Sequence, residues 1–210
     1  MTRVLIIDDH DIVRRGLRQV FSDEFSELEI GEAENSRVAL ELVTTQDWDI
    51  VLLDINIPGR NGLDVLSEIK RLRPRTPVLV VSAYPEEEFA IRSLKLGASG
   101  YLNKSSASDE VVAAARKAMA GGKYVTALLA EKLAATLGSD LQQAPHESLS
   151  NRELQVLRMV ATGQTIKGIA GELALSEKTV GTYRLRIAKK LGLNSNVELT
   201  RYAMQHRLVE

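Results

Sequence analysis

The stretch VLIIDDHD, residues 4–11, runs four large apolar residues directly into a pair of carboxylates. A continuous apolar run of this length is typical of a strand that is buried on both faces of a parallel sheet. Asp8 and Asp9 then lie where the strand ends. Two adjacent carboxylates repel each other, and burial of either one without a partner costs several kcal/mol. The stretch therefore predicts a strand end that holds a cation.

The composition restricts the class of protein further. The chain has 210 residues, of which 44% are hydrophobic and 26% charged, and this length is sufficient for two modest domains. It has no cysteine, which excludes disulfides, thiolate metal ligands and a cysteine nucleophile. No apolar stretch approaches the length of a transmembrane helix, and the first apolar run is too short for a signal peptide. We expect a cytoplasmic protein without a membrane partner.

Charge is distributed unevenly along the chain. Residues 1–122 carry 15 Lys and Arg against 20 Asp and Glu, a net charge of −5. Residues 148–210 carry 10 against 5, a net charge of +5, and residues 123–147 carry 2 against 3. Opposite signs at the two ends predict different partners, a cation for the first part and a polyanion for the last.

Apolar runs and amphipathic stretches alternate five times within residues 1–122. Runs such as Ile50–Leu53 and Val78–Val81 have the pattern of buried strands, and the stretches between the runs have helical period. The alternation predicts a flavodoxin-like, doubly wound α/β domain with a five-stranded parallel sheet. Residues 123–147, with a short helix and a polar, proline-containing stretch, are expected to form a linker. Residues 148–210 are helical in pattern throughout and predict a smaller, all-α second domain.

The ends of the predicted strands supply the groups of a phosphoryl-transfer site. In a sheet of order 2-1-3-4-5, ligands bind between the ends of strands one and three, where Asp8, Asp9 and Asp54 would converge. Three carboxylates around a small space suit Mg²⁺. Ser82 and Lys104 end the next two strands, and an ion, a hydroxyl and an ammonium can neutralise charge that develops during phosphoryl transfer. Asp54 is the predicted nucleophile, because acyl phosphates form on aspartate.

At these positions the chain resembles the receiver domain of bacterial two-component response regulators, over residues 2 to about 120. The matching motifs are the acidic pair at 8–9, the pattern D-x-x-x-P-x-x-x-G beginning at Asp54, then Ser82, then GYLNK ending at Lys104. The resemblance implies phosphorylation of Asp54 and pairing of Lys104 with the phosphoryl group. It also implies four ligands for Mg²⁺, namely Asp8, Asp9, Asp54 and the backbone carbonyl of Asn56.

The same resemblance implies a switch pair, Ser82 and Tyr101. The Ser82 hydroxyl would move toward the phosphate, and the Tyr101 ring would turn inward to fill the vacated space. His10, which starts a helix, is expected to be solvent-exposed rather than a ligand.

The helix after Ser176 is the most informative element of the second half. Its apolar residues fall on one face at helical spacing and should pack inward: Val180, Tyr183, Ile187 and Leu191. The opposite face carries cations with small or hydroxyl residues, a composition that suits the DNA major groove, although any solvated surface helix can carry it. A short turn separates this helix from the one before it, which is the helix-turn-helix pattern. The predicted DNA contacts are Lys167, Lys178, Thr179, Gly181, Thr182, Arg184, Leu185, Arg186, Lys189 and Lys190.

The region from about 148 to 209 is similar to the LuxR-type domain of the NarL/FixJ response regulators. The similarity rests on the spacing of Glu153, Gly163, Ile169–Ala170, Leu173, Ser176, Thr179–Val180 and Lys190–Leu191. It implies binding to double-stranded promoter DNA. Gly181 stands where many relatives have Lys, and we expect it to admit close contact with DNA. HTH proteins usually bind as symmetric dimers, and one later helix is predicted to contact a second copy through Val197, Leu199, Tyr202 and Ala203.

These patterns predict a bacterial response regulator and transcription factor rather than an enzyme. A sensor histidine kinase, or a small acyl phosphate, would phosphorylate Asp54 with Mg²⁺, and the receiver would catalyse only its own phosphorylation and dephosphorylation. The modification would switch homodimerisation and promoter binding. Two alternatives stay open. A Mg²⁺-dependent phosphatase would need a second Asp where Asn56 stands, and a constitutive DNA-binding protein would use its receiver only as a dimerisation scaffold.

Overall fold

Five apolar runs form one parallel sheet in the first half of the chain. The strands are β1 (Thr2–Ile7), β2 (Leu28–Ala33), β3 (Ile50–Leu53), β4 (Val78–Ser82) and β5 (Gly100–Asn103). Their order is β2-β1-β3-β4-β5, and every pairing is parallel. The register aligns Ile7 with Leu53, and the Asp54 amide donates to the Ile7 carbonyl at 2.9 Å. The flavodoxin-like order predicted from the sequence is therefore confirmed.

The computed structural model describes residues 1–84, 86–138, 144–206 and 208–209. It divides into two compact units, residues 1–139 and residues 140–210. Residues 139–143 of the predicted linker lie outside the described residues. No helix in the described part of the chain is long and apolar enough to cross a membrane.

Amphipathic helices cover the sheet of the first unit and follow the strands in turn. They are α1 (Asp11–Glu24), α2 (Ser36–Thr45), α3 (Gly62–Leu72), α4 (Glu86–Lys95) and α5 (Ser108–Met119). Leu17 and Phe21 of α1 and Val111 of α5 pack in one core cluster with strand residues such as Val4 and Ile6. The strands β1 and β3 are buried through most of their length, because helices lie on both faces of the sheet.

The first part of the predicted linker packs on the first unit. Tyr124 forms a parallel bridge with Gly100 of β5, and α6 (Ala127–Gly138) lies against α4. Leu129 of α6 is 1% exposed. Residues 123–138 therefore belong to the first compact unit, and the division between the two units falls within the predicted linker.

A short 3₁₀ turn and four helices make up the described part of the second unit. The turn is Pro145–Ser148, and the helices are α7 (Asn151–Ala161), α8 (Ile166–Glu172), α9 (Glu177–Leu191) and α10 (Asn196–Gln205). A capping box of Ser150 and Glu153 begins α7, as its sequence spacing predicts. Gly192 ends α9 with a φ of 68°, a left-handed conformation that favours glycine. Helices α8 and α9 pack together as a helix-turn-helix pair.

Candidate functional site

The carboxyl ends of β1 and β3 bring four potential ligand groups together. Asp8, Asp9 and His10 follow β1, Asp54 follows β3, and one ligand atom from each lies within 4.8 Å of the others. Asp8 and Asp54 are buried, while Asp9 and His10 lie on the solvent side. The cluster forms because the two strands are adjacent and aligned, at the point where the strand order reverses.

The two carboxylate oxygens of Asp54 have different surroundings. Its Oδ2 accepts a hydrogen bond from Lys104 Nζ at 2.8 Å, and the same ammonium lies 2.6 Å from Asp8 Oδ2. Asp54 Oδ1 is buried and has no hydrogen-bond partner among the described residues. An unpartnered buried oxygen is costly, so its presence indicates an atom that reacts or binds a ligand.

Burial raises the pKa of Asp54 above its ordinary value, and the charge of Asp8 acts in the same direction. Lys104 and the Asn56 amide lower the pKa of Asp54 without reversing this rise. Burial also lowers the pKa of Lys104, but the two carboxylates outweigh it and the net pKa is raised. Lys104 is therefore charged at neutral pH, and a cation beside Asp54 would favour the ionised carboxylate.

The donor set fits a hard divalent cation. Asp8, Asp9 and Asp54 supply carboxylate oxygens, which Mg²⁺ prefers, and the exposed side at Asp9 admits the waters that Mg²⁺ retains. The unpartnered Asp54 Oδ1 is an oxygen that such an ion would satisfy. The Asn56 group that contacts Asp54 is its backbone amide, and the predicted role of its carbonyl as a ligand stays a prediction.

Two residues contribute to the site in ways that the sequence patterns do not predict. The His10 side chain is 57% exposed, as expected, yet its Nδ1 lies 2.8 Å from Asp9 and 3.2 Å from Asp8. Arg14 donates from Nη1 to the Asp8 carbonyl at 2.8 Å and from Nε to Glu32 at 3.0 Å. Arg14 therefore fixes the backbone that carries the acidic pair, a role that no side-chain pattern in the sequence indicates.

The loop after β3 depends on a glycine. A Cβ atom on Gly62 would stand 2.2 Å from the Asp54 carbonyl oxygen and 2.6 Å from Ile55 Cα. The Gly62 amide donates to the Ile55 carbonyl at 2.9 Å, and the buried Asn61 caps α3 by accepting from Leu63. The motif glycine of the sequence is thus required for the close approach of α3 to the residue that follows β3.

The predicted switch residues lie on adjacent strands beside the acidic cluster. Ser82 and Tyr101 are each 1% exposed. The Tyr101 hydroxyl donates to the Tyr84 carbonyl at 2.7 Å, so the ring occupies the inward position. Ser82 Oγ accepts from the Tyr84 amide at 3.3 Å. Tyr84 therefore joins both switch residues, and movement of either one between two positions stays a prediction.

Helix α9 presents a cationic face to solvent. Val180 and Ile187 are fully buried, and Tyr183 and Leu191 are partly buried, so the apolar face packs inward as predicted. Apart from its chain neighbours and the backbone of its own helix, no atom lies within 4 Å of the place where a Cβ on Gly181 would stand. Most predicted DNA contacts are exposed, namely Lys167 on α8 and Lys178, Thr182, Leu185, Arg186, Lys189 and Lys190 on α9.

Four predicted DNA contacts make side-chain hydrogen bonds inside the second unit, and one of them is Thr182, whose hydroxyl donates to the Lys178 carbonyl at 2.9 Å. Lys190 Nζ lies 2.6 Å from Glu153 Oε2, which fixes α9 to α7. Arg184 Nε donates to Asn196 Oδ1 at 2.5 Å. The Thr179 hydroxyl is 2.7 Å from that of Ser176 at the start of α9. Because a contact with phosphate would compete with the bonds of Lys190 and Arg184, we expect these two side chains to contribute less to DNA affinity than Lys178, Arg186 and Lys189.

Two of the four residues predicted to form a dimer contact on α10 are buried within the second unit. Leu199 and Ala203 are 1% and 0% exposed, because they lie on the stripe of α10 that packs on α7. Tyr202 is partly buried, and its hydroxyl lies 3.1 Å from His146 Nδ1. Val197 is 78% exposed and Met204 57%, and both line a groove of about 610 Å³ beside the end of α7. The outward apolar surface of α10 therefore lies around Val197 and Met204.

Comparison with known proteins matches each half of the chain to a family. Residues 4–116 match the response regulator receiver domain, and residues 147–203 match the luxR family of bacterial regulatory proteins. The response regulator GacA of Pseudomonas aeruginosa is 36% identical over 211 residues, covering 100% of this chain and 99% of GacA. The response regulator UvrY of Escherichia coli is 35% identical over 209 residues, covering 99% of this chain and 96% of UvrY.

Solved structures of one regulator resemble the chain along nearly its full length. RcsB of Salmonella enterica serovar Typhimurium, bound to promoter rprA with the phosphomimetic BeF₃⁻, aligns with a TM-score of 0.65 at 26% identity. RcsB bound to promoter P1flhDC aligns with a TM-score of 0.63 at 28% identity. Each alignment covers 96% of this chain and 97% of RcsB.

Proposed function

Because the chain belongs to the bacterial response regulators that join a receiver domain to a LuxR-type DNA-binding domain, we propose that it is a transcription regulator switched by phosphorylation of Asp54. A sensor histidine kinase supplies the phosphoryl group, and a small acyl phosphate can replace the kinase as the donor. Phosphorylation promotes a homodimer that binds double-stranded promoter DNA. The binding of RcsB to promoters in the presence of a phosphomimetic supports this proposal by analogy.

In this proposal Asp54 Oδ1 attacks the phosphorus atom of the donor, and the bond from phosphorus to the donor atom breaks with its electron pair on the donor. Lys104 contacts the transferred group, since its ammonium already lies 2.8 Å from Asp54 Oδ2. Asp8, Asp9, Asp54 and the Asn56 carbonyl would hold Mg²⁺, which would supply positive charge to offset the charge that develops on the phosphoryl oxygens. Water later hydrolyses the acyl phosphate and restores Asp54, so the receiver acts only on itself.

The observation that carries the proposal is the unpartnered, buried Asp54 Oδ1 beside a charged lysine. The test is sedimentation of wild type and Asp54→Asn with Mg²⁺, each with and without beryllofluoride. We expect wild type alone to change its association state. Asp109→Asn, an exposed residue of α5, makes the same change of charge away from the cluster and should behave as wild type. If neither wild type nor Asp54→Asn responds, the scaffold alternative is favoured.

The second unit would contact DNA through the exposed face of α9 and dimerise through α10. The exposed Lys178, Arg186 and Lys189 suit phosphate contacts, and the open surface at Gly181 suits close approach to a groove. For dimerisation, Val197 and Met204 together form an exposed apolar surface on α10. A second copy of α10 is the occupant that two-fold symmetry of a paired operator would provide.

A further inference from the structure

The short segment after α5, which leads toward the second unit, is hydrogen-bonded to the start of β5. The Tyr124 amide donates to the Ser99 carbonyl at 2.7 Å, and the Tyr124 hydroxyl donates to Glu110 at 3.0 Å. A Cβ atom on Gly100 would stand 2.8 Å from the Tyr124 carbonyl oxygen, so this approach needs glycine in β5. We name residues 123–126 the strap.

The strap ends at Thr126, whose hydroxyl makes two contacts. It donates to Glu86 Oε2 at 2.7 Å and accepts from the Leu129 amide at 3.2 Å. The first contact joins the strap to the first residue of α4, and the second stabilises the first turn of α6. Leu129 is 1% exposed, with α6 packed on α4. Among the described residues, the Thr126–Glu86 hydrogen bond joins the start of α6 to α4, and Leu129 of α6 is buried.

The polar contact leaves Glu86 incompletely satisfied. Glu86 is half-buried, and its Oε1 is buried without a hydrogen-bond partner among the described residues. One hydroxyl donor compensates only part of the cost of removing a carboxylate from water. The contact thus stabilises the docked α6 weakly, and a small displacement at the start of α4 is enough to break it.

Glu86 follows Tyr84 by two residues, and Tyr84 contacts both predicted switch residues. The Tyr84 carbonyl accepts from Tyr101, and its amide donates to Ser82 Oγ. A Ser82 hydroxyl that turns toward a phosphoryl group on Asp54 no longer accepts from the Tyr84 amide. Tyr84, two residues before Glu86, then loses one of its hydrogen bonds.

We propose that the Glu86–Thr126 hydrogen bond couples phosphorylation of Asp54 to release of α6 from α4. The inference rests on the proposed function, since it takes phosphorylation of Asp54 as given. In the unphosphorylated chain the strap and α6 cover the α4–β5 side of the first unit. Phosphorylation displaces Glu86, α6 leaves α4, and residues 127–138 are added to the connection between the two units.

The experiment is hydrogen–deuterium exchange of the full chain, read by mass spectrometry on peptides within residues 123–138 and 54–62. In wild type with Mg²⁺, beryllofluoride should slow exchange in 54–62 and speed exchange in α6 about tenfold. Tenfold corresponds to about 1.4 kcal/mol, the scale of one hydrogen bond. Asp54→Asn should show neither change.

Two variants test the contact itself, with a matched control. Glu86→Ala removes the acceptor and leaves the Thr126 cap of α6 intact, so fast α6 exchange in this variant cannot come from a lost cap. Thr126→Val removes the hydroxyl, whereas Thr126→Ser keeps it. We expect the α6 amides of Glu86→Ala and Thr126→Val to exchange rapidly without beryllofluoride, and their exchange rate should rise little when it is added. Thr126→Ser should behave as wild type.

The outcomes separate this inference from the proposed function. If residues 54–62 of wild type do not respond to beryllofluoride, the proposed function fails. If they respond and α6 exchange stays unchanged, the coupling is refuted although the receiver works. Glu86→Ala with wild-type α6 exchange and a wild-type response to beryllofluoride would also refute the coupling.

Discussion

Lys104 is one ammonium that serves two carboxylates, Asp54 and Asp8. With Asp9 added, the ionised cluster has three negative charges against one positive charge. The remaining charge of −2 is matched by one divalent cation, which also explains why a partly exposed acid is kept beside two buried ones. At the scale of single residues, the charge of the cluster is therefore balanced by a bound cation rather than by side chains of the protein alone.

Gly62 gives a prediction about stability at the same scale. Gly62→Ala should lower the free energy of unfolding of the first unit by about 3 kcal/mol, because the new Cβ would overlap backbone atoms of Asp54 and Ile55. The measurement is urea unfolding followed by fluorescence of Trp48, the single tryptophan, which is buried in this unit.

Gly16→Ala is the matched control for this variant. Gly16 lies in the exposed part of α1 with nothing within 4 Å of its Cβ position, so alanine should be neutral or stabilise by up to about 1 kcal/mol. Equal stability of the two variants would show that the loop after β3 adapts to a side chain at position 62.

The acids of the site could be predicted from the sequence because topology alone brings strand ends together. Asp8 and Asp54 follow apolar runs, and the order of a doubly wound sheet places those runs side by side. Arg14 could not be predicted, since it acts on the backbone carbonyl of Asp8 and leaves no side-chain pattern. The Asp9 contact of His10 likewise depends on a rotamer, which spacing does not determine.

Helix α10 shows how an element can be predicted correctly and its exposed face incorrectly. Leu199, Tyr202 and Ala203 follow the i, i+3, i+4 spacing of one stripe, and that stripe packs on α7. Val197 lies off the stripe and is exposed. Periodicity identifies an apolar stripe but does not say whether the chain itself or a second copy covers it.

The capping box of α7 makes the second unit sensitive to acid. Burial raises the pKa of Glu153, but hydrogen bonds from Lys190 and the Ser150 amide outweigh burial and hold that pKa below its ordinary value of 4.5. A carboxyl with a lowered folded-state pKa adds stability above its unfolded pKa, and this stability is lost as pH falls through the folded-state pKa. Glu153→Gln should therefore cost about 1–2 kcal/mol at pH 7, and the cost should vanish at strongly acidic pH.

The measurement is exchange protection of α7 amides in the full chain from pH 7 downward, corrected for intrinsic rates. Glu172→Gln, on the exposed side of α8, removes the same charge without a capping box and should show no such dependence. A cost of Glu153→Gln that is constant with pH would mean that the Glu153 charge does not stabilise α7.

Gly181 tests the contact face of α9. Gly181→Ala should stabilise α9 by up to about 1 kcal/mol, because glycine is a poor helix former and its Cβ position is open. It should nevertheless weaken binding to duplexes selected from a random pool with wild type. Measurement of the unfolding free energy and of the DNA affinity on the same variant separates the effect on helix stability from the effect on DNA contact. Unchanged DNA affinity would refute the proposed close approach of DNA to Gly181.

At the scale of the whole molecule, the charges are segregated by function. The part of the chain with the acidic cluster has a net charge of −5 and the helix-turn-helix part +5, so the nearly neutral total conceals one unit suited to cations and one suited to polyanions. The alternation of strands and helices and the helix-turn-helix were both predictable from periodicity. The packing of α6 on α4 was not, because periodicity does not say which surface covers a side chain such as Leu129.

The salt dependence of DNA affinity should show which of the two units contacts DNA. The affinity for random-sequence duplex DNA should fall linearly with salt on logarithmic axes, and Lys178→Ala should reduce the slope by about 0.9, the value for one phosphate contact. Lys117→Ala, an exposed lysine of α5 in the first unit, should leave the slope unchanged. Equal effects of the two variants would show that DNA responds to total charge rather than to α9.

The bridge between Tyr124 and Gly100 has a consequence for the edge of the sheet. β5 is the last strand in the order, and an uncovered edge strand offers unpaired amides and carbonyls to any other strand that it meets. The strap occupies part of that edge. A receiver cut off after Gly122 would lose this protection and acquire a surface prone to aggregation, so the receiver fragment that best resists self-association ends after α6.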